Sequence, residues 1–158
     1  RPKREAKKEV VIPTVEEMKT IIDWFTGSTR AAVIVMAKAG LRVGALPSLN
    51  IRDGRYACKT KGKEQKGEMS PDVLKALRGM GQHPFELRTA GGIAESVKWG
   101  MKKLYEAGKI RARYSAHDLR HFYAVQEYRK DKDIYRLKTL LGHASIQVTE
   151  NYLRGLGY

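Results

Sequence analysis

A mainly helical α+β fold with one small antiparallel sheet is what this sequence predicts, on three observations. Apolar residues recur at three- and four-residue spacing over most of the chain, residues suited to helix caps precede those runs, and one stretch, 49–69, breaks into short segments punctuated by Gly54, Gly62 and Gly67. At 158 residues with 42% apolar content, the chain can bury one core.

The elements follow in order. Thr14 and Glu17 form a capping-box pair ahead of Val15, Met18, Ile21, Ile22 and Phe25, a first amphipathic helix ending by Gly27. Ser28 is placed to cap a second helix whose AAVIVM run belongs deep in the core, and Gly40 stops it. Pro47 is expected to end a short helical turn after Leu41. The hairpin region carries Lys59, Lys61, Lys63 and Lys66, with Cys58 as a strand residue. Ser70 and Pro71 open a short helix ending near Gly79. Ile93, Val97, Met101 and Leu104 mark one face of a helix closed by Gly108, with Lys98, Lys102, Lys103 and Arg113 around it. Ser115 with Asp118 caps the next helix, Asp133–Leu141 forms another ended by Gly142, and Ser145 caps a last one through Leu153.

Composition narrows the function. Lys and Arg number 31 against 17 Asp and Glu, a formal charge of +14, so a polyanion is the first partner to consider. No apolar run approaches the roughly 18 to 20 residues of a membrane span, and no signal-peptide pattern opens the chain. The lone Cys58 has no partner for a disulfide and no metal-ligand spacing, which fits a reducing compartment. Residues 1–13, rich in Lys, Arg and Glu and without periodicity, read as a basic linker or arm before a domain over 14–158. The chain also reads as a fragment of something longer.

The stretch SAHDLRHF sets two histidines and an arginine within little more than one helical turn. His117 and His121, four apart with Asp118 between, have the spacing of two metal ligands, but Arg120 raises the cost of binding a cation there and no third ligand is spaced to help. His117 and Arg120, three apart near a capped helix N-terminus, fit a phosphate better: the helix end, an imidazole and a guanidinium all favour an anion. The alternative is local, His117 satisfying a nearby hydrogen bond and Arg120 pairing with a surface acid. His121 is expected to brace the helix from behind.

Downstream, LLGHASIQVTENY places His143 just after Gly142 and Tyr152 nine residues beyond that histidine. HxxR, LGH and this tyrosine, with AGLRVGAL upstream and the Lys-rich hairpin between, resemble the catalytic domain of the tyrosine recombinase, or phage integrase, family over residues 14–153. The resemblance implies that family's fold and site-specific DNA recombination. Tyr152 would attack a DNA phosphate to give a 3′-phosphotyrosine and a free 5′-hydroxyl, with rejoining by the reverse step. It implies no cofactor, neither metal nor ATP. By the same resemblance Arg42 and Arg120 hold the nonbridging oxygens, His117 assists the nucleophile, His143 donates to the phosphate, and a hairpin lysine protonates the leaving oxygen. Lys61 is favoured; Lys59, two residues away, is expected on the same strand face, with Lys63 third on that parity. Lys59, Lys63, Lys66 and Arg113 are candidate DNA-phosphate contacts. Implied partners are double-stranded DNA and further copies in a tetramer on DNA; the implied setting is a prokaryotic cytoplasm, with a virus or plasmid as carrier.

Two departures stand out: Ala45 occupies a place where the family commonly has Glu, and the family's amino-terminal DNA-clamp domain is absent from this sequence. Rival functions are a DNA-binding module without chemistry, a relaxing topoisomerase that shares the phosphotyrosine step, and a metal nuclease.

Overall fold

The computed structural model describes residues 11–158; most of the sequence-expected arm, residues 1–10, lies outside them. Among the described residues seven helices and one three-stranded sheet follow in the expected order: α1 Val15–Trp24, α2 Gly27–Lys38, a 3-10 turn Val43–Ser48, β1 Asn50–Arg52, β2 Arg55–Thr60, β3 Lys63–Glu68, α3 Pro71–Ala76, α4 Ala90–Glu106, α5 Ala116–Asp131, α6 Ile134–Leu141 and α7 Ile146–Gly155. No helix among the described residues is long and apolar enough to cross a membrane.

The capping box of α1 forms, with Thr14 Oγ1 accepting from Glu17 N–H and Glu17 Oε1 accepting from Thr14 N–H, both at 3.1 Å. Glu17 has a second task. Its carboxylate accepts from the Arg111 backbone and guanidinium and from the Tyr114 hydroxyl, tying α1 to the segment that leads into α5. Burial alone would raise its pKa, but these donors together hold it below the usual carboxylate range. Val15, counted inward by periodicity, stays 43% exposed at the edge of the first turn.

Two sequence expectations are corrected here. Ser28 does not cap α2: the helix begins two residues earlier than that cap would give, behind Thr26, and Ser28 Oγ accepts from Arg88 at 2.6 Å. Pro47 lies inside its 3-10 turn rather than ending it, since a turn this short asks few backbone N–H groups to find partners.

Both connections in the sheet are two-residue turns in the left-handed region, Asp53–Gly54 and Lys61–Gly62, with φ near 51° and 76° in each. That is the turn that matches strand twist in a tight hairpin. The strands run antiparallel in the order β1-β2-β3, with Cys58 opposite Gln65 and Lys59 opposite Glu64. Tyr56 and Cys58 face the core and both are buried.

Residues Ala31–Ala37 of α2 are all buried, as are Ile93, Val97, Met101 and Leu104 of α4. Leu119 and Phe122 of α5 complete that core. On its other side α5 offers Tyr123 and Ala124 to a smaller cluster with Leu137, Leu141 and Leu153. The last two helices therefore lean on α5, and this brings the C-terminal tyrosine back to the middle of the molecule.

Candidate active site

Each site side chain is set in place by a local device. Leu41, fully buried, anchors the extended residue Arg42 at the start of the 3-10 turn. The Lys61–Gly62 turn lifts Lys61 off the end of β2. The Ser115–Asp118 capping box, with Asp118 Oδ2 accepting from Ser115 N–H at 2.8 Å, fixes the first turn of α5 and so His117 and Arg120.

These four residues meet. Arg42, Thr60, Lys61, His117 and Arg120 line one cavity of about 380 Å³, together with small residues and no carboxylate. None of the ion pairs among the described residues engages Arg42, Lys61 or Arg120. A larger cavity of about 640 Å³ lies elsewhere, beside Trp24 and Trp99, with no cation in its lining.

Arg120 is 2% exposed, an unusual place for a guanidinium. It donates through Nη1 to the Gly40 carbonyl at 2.5 Å and through Nη2 to the Leu141 carbonyl at 3.0 Å. Two of its five N–H donors are thus held by backbone at the ends of α2 and α6, which aims the group. Burial, then the nearby Arg42, lowers its pKa to about 10, so it remains charged at neutral pH. Its partners are carbonyls, not the surface acid of the local alternative.

Beside the cavity stands a row of rings. His117 meets His121 edge-on at 4.4 Å between centroids. His121 lies 5.4 Å from Tyr152, and Tyr152 lies 5.5 Å from His143. The Tyr152 hydroxyl sits 2.5 Å from His121 Nδ1, and His143 Nδ1 is 2.9 Å from Thr149 Oγ1, a fully buried hydroxyl. Burial pushes the Tyr152 phenol up to about 12, against the pull of Arg120 and Arg42. Burial first and neighbouring positive or imidazole groups next bring His121 and His143 down to about 4. His117 is lowered by burial and by Arg120.

His121 thus does not brace α5 from behind; it holds the tyrosine. The four-residue spacing from His117 carried the signal, since it puts both rings on one face, but it pointed to a metal. Among the described residues no three His, Cys, Asp or Glu side chains cluster as metal ligands would.

The hairpin lysines separate. Lys61 is in the turn at φ 51°, so strand alternation does not relate it to Lys59. Opposed residues share a face: Lys63 lies on that of Thr60, whereas Lys59 and Lys66 lie on the other, beside Glu64, which pairs with Lys66 at 3.3 Å. Arg113 stacks over Tyr105 and, with Lys98 and Lys102, lines a groove of about 440 Å³ that shares Val43 and His117 with the cavity. Ala45 is 1% exposed, packed in the core under the 3-10 turn.

No protein-family model matches the chain. Among curated proteins it is 31% identical over 150 residues to the tyrosine recombinase XerD of Xanthomonas campestris pv. campestris, covering 78% of this chain and 46% of that protein. The chain spans a little under half the length of the first curated relatives it matches. Among solved structures it resembles XerA recombinase, with a TM-score of 0.74 and 26% identity over 90% of this chain and 60% of that one. It shares its fold with the catalytic domain of bacteriophage HP1 integrase, at a TM-score of 0.69 and 18% identity over 93% and 89%.

Proposed function

Because the chain belongs to the tyrosine recombinase family and carries that family's catalytic-domain fold, we propose that residues 14–158 cut and rejoin DNA for site-specific recombination, without a metal. The observation that carries this reading is the acid-free cavity in which Arg42, Lys61 and Arg120 gather with no carboxylate to neutralise them. A phosphodiester supplies the missing charge.

In this reading the Tyr152 oxygen attacks the phosphorus as its proton passes to a neighbouring neutral imidazole, the Oη–P bond forms and the P–O5′ bond breaks. Arg42 and Arg120 hold the nonbridging oxygens, whose charge grows in the pentavalent state. Two planar forks suit this task better than mobile ammonium groups. His143 donates to a phosphate oxygen, His117 hydrogen-bonds the reacting group, and Lys61 gives its proton to the departing 5′-oxygen. A 5′-hydroxyl attacking the phosphotyrosine reverses every step. Tyr152 stands beside the cavity of its own chain, with its hydroxyl on His121, which supports cleavage in cis. The groove of Lys98, Lys102 and Arg113 continues the positive surface along a duplex, and Lys63 stands opposite Thr60 of the cavity. Tetramer assembly on DNA, a prokaryotic cytoplasm and carriage by a virus or plasmid complete the proposal for the whole protein.

A nicked duplex that loses its short 5′-hydroxyl strand after cleavage traps the intermediate. The wild-type chain is expected to give a protein–DNA adduct that survives denaturant and EDTA, and Tyr152→Phe is expected to bind DNA equally and give none. Binding without any wild-type adduct would leave a DNA-binding module; cleavage lost in EDTA would mean a metal nuclease; supercoil relaxation without strand exchange would mean a topoisomerase.

A further inference from the structure

Resting on that reading, we propose that His121 is a further catalytic residue, whose neutral imidazole takes the hydrogen bond of the Tyr152 hydroxyl and turns the oxygen's lone pairs toward the phosphorus. The hydroxyl and His121 Nδ1 are 2.5 Å apart. With the phenol protonated and the imidazole held neutral by burial, the donor is the phenol and the acceptor is Nδ1, so the ring carries its proton on Nε2.

Both ends of this bond are fixed. His121 sits mid-face on α5 against the His117 ring, while α7 is held by the Ser145 cap and by Leu153 in the small cluster. His143 flanks the tyrosine from the other side but has its own Nδ1 tied to Thr149, which leaves the hydroxyl to His121.

A nitrogen that titrates near 4 is a weak base for a phenol that holds its proton to about 12. Its task is therefore orientation, with the proton passing to Nδ1 only as the Oη–P bond forms. The P–O5′ bond breaks in the same step, the 5′-oxygen takes a proton from Lys61, and rejoining returns both protons.

Adduct formation on the nicked duplex, under single turnover, tests this with His121→Leu and His121→Asn, whose amide oxygen falls near the place of Nδ1. Leu is expected to slow the adduct about 100-fold, with DNA affinity and melting temperature unchanged; Asn should stay within about tenfold of wild type. A Leu variant as fast as wild type or faster overturns the proposal, and so does an Asn variant as slow as Leu with its fold intact. Should the variants not fold, the ¹⁵N resonance of His121 Nδ1 decides in folded protein: it should shift in Tyr152→Phe, and an unchanged signal overturns the hydrogen bond. Absence of any wild-type adduct sinks the recombinase reading itself, whereas a wild-type adduct with an indifferent Leu variant sinks this inference alone.

Discussion

Three of the four histidines, His117, His121 and His143, titrate below their ordinary value in the folded chain. The unfolded chain takes up these protons near pH 6.5, and the folded one only near 4 for His121 and His143. As pH falls through that window the unfolded state binds more protons, so stability is lost on acidification and is fully present above about 7. Glu17, Glu127 and Asp131 have depressed values and act with the same sign, but only below their unfolded values, 4.5 for the glutamates and 3.8 for the aspartate. The urea midpoint is therefore expected to drop between pH 6.5 and 5, and His143→Gln to shrink that drop; a flat profile there would contradict the buried, neutral rings. At this scale the gathering of Arg42, His117 and Arg120 at one cavity, with Tyr152 and His143 beside it, was legible because each sits at a motif's fixed spacing. The partner of Tyr152 was not, because it depends on how α7 lies across α5, a contact 31 residues apart in sequence. Lys61 was chosen for its glycine-turn context, and the strand-parity argument for Lys59 failed because a left-handed turn residue belongs to neither strand face.

Helix ends, more than helix faces, assemble the cavity. Arg120 links three elements, donating from α5 to the carbonyls of Gly40, just past α2, and Leu141, the last residue of α6. Gly40 has φ near +72°, and a Cβ there would lie 2.1 Å from the Tyr123 ring, so the carbonyl's position depends on glycine. Arg120→Ala removes two charge-assisted bonds to buried acceptors and is expected to cost about 3 kcal/mol in urea unfolding as well as abolish the adduct. Unchanged stability would mean that the two carbonyls find water. Lengths and order of the helices could be read from periodicity and caps, since those signals are local. Ser28 misled for the same reason: its hydroxyl was free to serve the following amides until a distant Arg88 claimed it.

Across the whole molecule, the charge of +14 is unevenly answered by acids. Glu127 and Asp131 are occupied with Lys130 and Arg136, and Glu64 with Lys66, while Arg42, Lys61 and Arg120 of the cavity enter no ion pair among the described residues; in the adjoining groove Lys102 meets Glu106 only at 3.9 Å, on the surface, and Glu95 shares the lining. If Arg42, Lys61, Lys98, Lys102, Arg113 and Arg120 each meet a phosphate, DNA affinity should fall about 10³-fold between 50 and 200 mM salt. Titrations by fluorescence anisotropy should show Lys102→Ala lowering the log–log slope by about one and Lys66→Ala leaving it unchanged; equal effects would place the duplex on the other face of the hairpin. Net charge alone pointed to a polyanion, but only the folded hairpin register divides the lysines between its two faces.

The double duty of Arg120 shapes how such a protein can decay. A descendant relieved of its chemistry is free to lose Lys61 by drift, since that exposed turn residue closes no core. It must still keep the arginine and the glycine whose carbonyl accepts its hydrogen bond, or give up the stability they supply. Relics of this lineage should therefore be recognisable by a preserved Gly40–Arg120 pair around an otherwise eroded pocket.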